Sequence, residues 1–436
     1  MTFLDYFIDP LYQASFLGSM LMCLSSSLMG TLMFVRKRSL LGETISHATY
    51  PGIVLSGFLG AFLGKLSLLS TLFLFLGGAT LFAYFGLEII EKIRNRLRIH
   101  FDAALCLILS LSLGIGVVFA SRMQFISPLW YQQTQTFLYG QAATMNDAHV
   151  LIYGILSLFV FLFIVLRYRE IELSLFDRAY GKGLGVPLLK VYRFIFLFLI
   201  LSIVVGIRSV GVVLMAGMLI APAAAARSFT DRLAVLLPLS AFLGIVSGFG
   251  GNYLSVLFSE RGYHLPTGPM ILLFAAIITF FSLIFAPKKG IVSRLIRMNR
   301  FRRRCQSENI LKTLWKGGKK TSLSHQEILK WNALGPLRLK GALFKLQREG
   351  WVTKEGKGKV ILTSDGLKKA EHLVRLHRLW ELYLVSCLKA DEERVHYSAE
   401  EMEHILTPNL ETRLSELLNN PTIDPHQKPI PRGNEP

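Results

Sequence analysis

Residues 36–52 read RKRSLLGETISHATYPG. The three cations Arg36, Lys37 and Arg38 stand between two apolar runs, 14–35 and 43–64. Cations gathered between two such runs mark a connection on the cytoplasmic side of a membrane. Glu43 and His47 fall inside the second run and are four residues apart, so on a helix they project from one face. Ionisable groups inside a span are costly and point to function. A carboxylate oxygen and an imidazole nitrogen on one face can hold a divalent cation between them. The alternative is structural: Glu43 placed in a first turn by the helix dipole, and His47 hydrogen-bonded within a bundle. Spacing alone leaves both open.

Further apolar stretches follow at 66–90, 102–121, 136–166, 192–207, 209–227, 233–258 and 267–286. Each is long enough for most or all of a hydrocarbon layer about 30 Å thick, so eight or nine spans are expected. Lys and Arg also gather at 92–98, at 167–193, at Arg227 and Arg232, and after Lys288. With nine spans these are alternate connections, which places the N-terminus outside and the C-terminal tail in the cytoplasm. The charge agrees with a two-part chain. Of the net +19 over 436 residues, +7 lies in 1–286 and +12 in 287–436, while 52% of the chain is hydrophobic and the mean hydropathy is +0.45. A single soluble globule is excluded. Cys23, Cys106, Cys305 and Cys387 form no CxxC pair, so neither a disulfide framework nor a thiolate zinc site is indicated. No nucleophile and base set for bond-making chemistry stands out, and an enzyme is not expected.

Two further segments belong to the membrane half. Residues 167–190, RYREIELSLFDRAYGKGLGVPLLK, form its longest basic connection; Phe176 and Leu184 among charged and small residues suit a helix docking into a partner's groove. An ordinary positive-inside loop is the other reading. Its glycines follow no strand, and G-x-x-x-x-G-K-[ST] occurs nowhere, so this chain is expected to bind no nucleotide. Residues 211–227, GVVLMAGMLIAPAAAAR, are rich in small side chains, which permits close helix approach. Met215 and Met218 there read as packing residues, with soft metal ligation the alternative.

RKRSLLGETISHATYPG, FDRAYGKGLGVP and GVVLMAGMLIAPAAAAR together resemble the membrane subunits of ABC importers for manganese, zinc or iron, the ABC-3 type, over about residues 10–288. The resemblance implies that Glu43 and His47 match a transport-path metal site, with Glu where the family has Asp. It implies that Phe176 to Pro187, including Asp177, Arg178, Ala179 and Gly185, contacts an ABC ATPase subunit. It also implies a second permease subunit, identical or different, and a periplasmic metal-binding protein. The expected location is the cell inner membrane.

Beyond Pro287 the run 288–304 holds eight basic residues and no acidic one. It reads as a juxtamembrane anchor to anionic lipid, or as a nucleic-acid arm or exposed hinge open to proteolysis. Ser324 is placed to cap a helix HQEILKWN, and Pro336 opens a second helix ending at Gly350. In that second helix Leu339, Leu343 and Leu346 make an apolar face against Arg338, Lys340, Lys345 and Arg348. Strands WVTKE and KVILTS flank the turn carrying Lys357 and Lys359. Helix, turn, helix and basic hairpin make a winged helix, its second helix suited to a major groove and its hairpin to phosphates. A winged helix that binds protein is the alternative.

His377 and Glu381 are four apart on one helix, and His396, Glu400, Glu403 and His404 stand at offsets 0, 4, 7 and 8 on another. At about 100° per residue those four fall on one face. Such donors suit Mn²⁺, Fe²⁺ or Zn²⁺, although solvated i,i+4 charge pairs look the same. VRLHRLWELYL, RVHYSAEEMEHIL and DPHQKPIP resemble the DtxR/MntR metal-dependent repressors over 305–433. The resemblance puts His377, Glu381 and His396 in one regulatory metal site and Glu400, Glu403 and His404 in another, the ion acting as co-repressor for operator DNA. The segment Glu308 to Lys312 shows no copy of the family's first-helix ligands, and no SH3-like third domain is expected.

The expected molecule is therefore an all-α polytopic membrane protein of eight or nine transmembrane helices, followed by a cytoplasmic winged helix-turn-helix and a helical metal-binding and dimerisation region. The boundaries are a permease over 1–287, a linker over 288–304, a DNA-binding domain over 305–370 and the metal region over 371–436. Two other functions remain open. The tail could be a cis-acting, metal-sensing gate that never binds DNA, or the permease could be a secondary transporter needing no ATPase.

Overall fold

The computed structural model describes residues 10–64, 67–318, 321–332, 334–356 and 358–431. The chain divides into two compact units, Met1–Arg294 and Leu295–Pro436. The first is built from α1 (Pro10–Val35), α2 (Leu40–Leu63), α3 (Leu68–Leu97), α4 (Phe101–Ile126), α5 (Pro128–Tyr139), α6 (Asp147–Leu166), α7 (Tyr168–Phe176), α8 (Arg178–Gly183), α9 (Leu188–Val210), α10 (Val212–Phe229), α11 (Leu233–Glu260) and α12 (Thr267–Phe285). Among the described residues, eight of these helices are long and apolar enough to cross a membrane: α1, α3, α4, α6, α9, α10, α11 and α12.

Helix α2 has 24 residues, a spanning length, but with its serines, threonines, Glu43 and His47 it is not among those eight. It is buried along most of its length, packed by α3, α4, α5, α9 and α10. Polar groups at membrane depth are tolerated in such an interior position because neighbouring helices, not lipid, surround them. The perimeter is the reverse. Helix α4 exposes Leu107, Leu111 and Val118, and α12 exposes Phe280 and Phe281.

The stretch 136–166, expected as one span, is broken. Helix α5 ends at Gly140, a 3₁₀ turn Ala142–Thr144 follows, and Asn146 caps α6 by accepting from the His149 backbone. Gly140 has φ +75° and Gly211, between α9 and α10, has φ +95°. A Cβ on Gly140 would stand 2.2 Å from the Val210 carbonyl carbon, and one on Gly211 would stand 2.6 Å from the Leu138 oxygen. Two helix ends thus abut backbone to backbone, a geometry open only to glycine.

The second unit contains most of α13 (Ile291–Lys316), then β1 (Leu323–Ser324), α14 (His325–Trp331), α15 (Pro336–Arg348), β2 (Val352–Glu355), β3 (Lys359–Leu362), α16 (Ser364–Leu388), α17 (Glu392–Met402) and α18 (Pro408–Leu417). From Ile291 onward the basic run is helical rather than an open hinge, since no Pro or Gly interrupts it after Gly290. Ile310, Leu311 and Leu314 of α13 meet Ile328, Leu339, Leu343, Leu346, Val352, Val360 and Ala370 in one core. Leu339, Leu343 and Leu346 recur every three to four residues, so they share the buried face of α15. Ser324 caps α14, with Glu327 closing a capping box. The sheet has the order β1-β3-β2, all antiparallel, with Val352 opposite Leu362 and Leu323 opposite Val360. Helix α18 is clamped to α16 by Arg375, which donates to Glu411 at 3.1 Å and to Ser415 at 2.9 Å.

Candidate metal centres and nucleic-acid face

Helix α2 places Glu43 and His47 one turn apart, His47 buried and Glu43 partly so. The His47 Nδ1 is buried and finds no hydrogen-bond partner among the described residues. Such an orphan is expensive in the absence of a ligand or water. Pro51, inside the same helix, has no N–H to donate to the His47 carbonyl, so a backbone oxygen is also released at this level.

Arg36 and Arg38 fix the entry to α2. Arg36 Nη2 donates to the carbonyl and the hydroxyl of Ser174 in α7, each at 3.3 Å, and its guanidinium lies 4.7 Å over the Tyr192 ring. Arg38 donates to the Tyr192 hydroxyl at 3.1 Å. Between these two anchor points runs 176–187. Asp177 caps α8 by accepting from the Tyr180 backbone at 2.9 Å, Arg178 donates back to the Ser174 carbonyl, and Ala179 continues the turn. Gly185 turns the chain at φ +71° and Pro187 precedes α9. Phe176, Tyr180 and Leu184 are each more than half exposed, so the segment presents an uncovered apolar face among the described residues.

In the second unit α16 and α17 bring His377, Glu381 and His396 together. His377 Nε2, His396 Nδ1 and Glu381 Oε1 stand 3.0, 3.1 and 2.8 Å from one another. An octahedral ion with ligands at about 2.1 Å has adjacent ligands about 3.0 Å apart, so these three atoms match one face of such a shell. Two imidazoles and a carboxylate suit Mn²⁺, Fe²⁺ or Zn²⁺. The triangle opens through the half-exposed His396 into a cleft of about 660 Å³, also lined by Trp315, Trp331, Asp424 and His426.

Burial alone would raise the Glu381 carboxyl, but hydrogen bonds from His377 and His396 hold it down to about 2. Burial pulls His377 down, yet its bonds to Glu381 and Glu403 outweigh this and raise it above its ordinary value.

The other three expected ligands do not close on one point: Glu403 Oε1 and His404 Nε2 approach to 3.6 Å, but Glu400 stays apart from both. Glu400 is exposed, with one oxygen 3.8 Å from His396 Nε2. Glu403 is buried, its two oxygens 2.8 and 2.7 Å from Lys312 Nζ and one of them 2.6 Å from His377 Nδ1. His404 faces Glu308 at 2.7 Å through Nδ1 and Asn309 at 3.0 Å through Nε2. Glu308 and Lys312 are thus brought to the cluster although their segment offered no ligand pattern. The available signal was two charges, four apart, among the buried Ile310, Leu311 and Leu314 of one helix.

On the winged helix Arg338, Lys340, Lys345, Arg348 and Lys359 are all exposed; Lys357 lies outside the described residues. Arg338 and Lys345 line a groove of about 600 Å³ with Arg302 and Arg303 from α13. Four cations along one groove make a basic face, and the two from α13 were not assigned to it from sequence.

A probable metal transport system membrane protein of Chlamydia trachomatis is 34% identical over 98% of this chain and 97% of its own length. The manganese transport system membrane protein MntC of Bacillus subtilis is 32% identical over 84% of this chain and 82% of its own. The solved structure of PsaBC from Streptococcus pneumoniae in complex with Fab shares the fold over 68% of this chain and 98% of its own, with a TM-score of 0.58 and 24% identity. Residues 363–432 match the iron dependent repressor, metal binding and dimerisation domain. Residues 9–286 match the ABC 3 transport family, and the chain belongs to that family, with a repressor-type metal-binding domain joined to its permease.

Proposed function

We propose that the chain is a permease subunit of an ATP-driven importer for a divalent metal, Mn²⁺, Fe²⁺ or Zn²⁺, in the inner membrane. A periplasmic binding protein delivers the ion, and a second permease subunit completes the path. The nucleotide is bound by a separate ATPase that docks on Phe176–Pro187. The observation that carries this reading is His47: a buried imidazole with an orphan Nδ1, one turn from Glu43 on an interior helix. An ion passing Glu43 and His47 would be held by one carboxylate and one imidazole, a donor set weak enough to release it. Mn²⁺ uptake into proteoliposomes holding the full transporter tests this. His47→Ala is expected to abolish ATP-dependent uptake and Glu43→Asp to preserve it; uptake undiminished in His47→Ala would overturn the assignment.

The tail is a cytoplasmic regulator. Metal at His377, Glu381 and His396 couples α16 to α17, and the basic groove with Arg338 and Lys345 takes the phosphates of operator DNA. Full-length protein in nanodiscs is expected to bind its operator more tightly with Mn²⁺ than with chelator, and equal affinity in the two would remove the regulatory reading. Release of the tail by proteolysis would occur at the turn Pro287–Gly290 before α13, and a blot against the tail showing only full-length protein opposes it.

A further inference from the structure

We propose that Lys312 is a resident cation for Glu403 and that Glu403 positions His377 instead of binding metal, so that the tail takes a single regulatory ion at His377, Glu381 and His396. The inference rests on the reading of those three residues as ligands and refines it.

The atoms divide cleanly between two sides of the His377 ring. Nε2 faces Glu381 and His396, within 3.1 Å of each, while Nδ1 faces Glu403 Oε2 at 2.6 Å, with Lys312 Nζ 3.5 Å away on the same side. A proton on Nδ1 donated to Glu403 leaves the Nε2 lone pair directed at the triangle. This carboxylate-to-imidazole arrangement orients a ligating histidine and increases its basicity. Glu403 has no freedom to leave that post. Its side chain is fully buried, and both oxygens are taken by the Lys312 ammonium, itself 6% exposed. A second metal ion on Glu403 would have to displace this ammonium or share the carboxylate with it at contact distance, where like charges repel strongly in a buried setting.

The remaining members of the would-be second site are also committed. His404 Nε2 lies 3.6 Å from Glu403 Oε1, but both of its ring nitrogens are hydrogen-bonded, to Glu308 and Asn309, and Glu308 in turn accepts from Arg304 at 2.9 Å. Glu400 points to solvent beside His396. Lys312, Glu403 and His377 therefore form a continuous relay from α13 through the turn after α17 to the ligand on α16. The relay fixes the His377 side of the triangle before any ion arrives, leaving the exposed His396 as the adaptable member.

The test is the Mn²⁺ count and affinity of the full-length protein in nanodiscs, read from the free-ion electron paramagnetic resonance signal. Glu403→Gln is expected to keep the wild-type count and to weaken one ion by 10- to 100-fold, as loss of an orienting partner does. A count lower by one at saturation would make Glu403 a ligand and overturn the proposal. Lys312→Met frees the carboxylate, and the count is expected to rise by one; an unchanged or lower count overturns the role of Lys312. Lys312→Arg keeps the cation, is expected to keep the wild-type count and controls for disruption of the core. Glu381→Gln serves the underlying reading separately: if it costs no ion, the His377 triangle is not a metal site at all.

Discussion

Arg36, in the turn before α2, donates to the Ser174 carbonyl of α7 at 3.3 Å, so the helix carrying Glu43 and His47 is tied to the segment that leads into 176–187. Arg178 donates to the same carbonyl, and Tyr192 beyond the segment holds both Arg36 and Arg38. If an ATPase docks on 176–187 as proposed, these contacts would pass a displacement of that segment to the entry of α2. Hydrogen bonds from a charged donor are worth about 1.5–3 kcal/mol each. Arg36→Ala is expected to lower Mn²⁺ uptake by the reconstituted transporter at least tenfold while ATP hydrolysis continues. Equal loss of hydrolysis and uptake would indicate a docking defect instead.

The abutment of Gly140 and Gly211 makes a stability prediction. Gly211→Ala places a side chain on a backbone with φ +95°, with its Cβ 2.6 Å from the Leu138 oxygen. Left-handed strain and overpacking each cost about 1–3 kcal/mol. The melting temperature of the detergent-solubilised protein is expected to fall by several degrees, whereas Gly183→Ala, in open space at the end of α8, is expected to leave it nearly unchanged. Similar melting of the two variants would contradict the abutment.

The tail's buried pairs set a pH window for its metal-free form. Glu381 is held down to about 2 from an ordinary 4.5, so its contribution is present above pH 4.5 and is lost as pH falls toward 2. His377 is raised above its ordinary 6.5, so its contribution is complete below pH 6.5 and fades as pH rises through the raised value. Calorimetry of the metal-free full-length protein is expected to show the tail transition highest between about pH 4.5 and 6.5. Bound Mn²⁺ should reverse the upper limb, because metal and proton compete for His377. A metal-free tail that gains stability from pH 6.5 to 8 would contradict the pairing.

What could be read from sequence was what repeats locally. The leucines of α15, the Ser324 cap with its Glu327 partner, and the cations at the ends of the apolar runs all act within a turn or two of themselves. Two kinds of feature could not be read. The break at Gly140–Asn146 lies within a continuous polar-to-apolar stretch, where only a packed neighbour, the end of α9, reveals why the helix stops. Pairings such as Lys312 with Glu403, 91 residues apart, and His404 with Glu308, 96 apart, depend on how α13 lies against the turn after α17. Helical spacing placed Glu400, Glu403 and His404 on one face, but a face about 80° wide or more spans several neighbours. Glu403 and His404 stay 3.6 Å apart, yet their main partners, Lys312 and Glu308, differ, and Glu400 turns to His396.

The groove between α13 and α15 yields a prediction in which salt, not sequence, is the variable. Arg302 and Arg303 were counted with the juxtamembrane run, yet they line one groove with Arg338 and Lys345 and all four are exposed. If the groove follows a DNA backbone, each phosphate contact contributes about 0.9 to the slope of log affinity against log salt. Non-specific binding of a 30-base-pair duplex to the full-length protein in neutral-lipid nanodiscs isolates this electrostatic component. Arg302→Ala with Arg303→Ala is expected to reduce the slope by about 2, and Arg338→Ala with Lys345→Ala by a similar amount. Arginines serving only as a lipid anchor would leave the duplex slope unchanged in the first pair. Tighter binding to nanodiscs containing anionic lipid, lost in the same variant, would then assign them to the membrane.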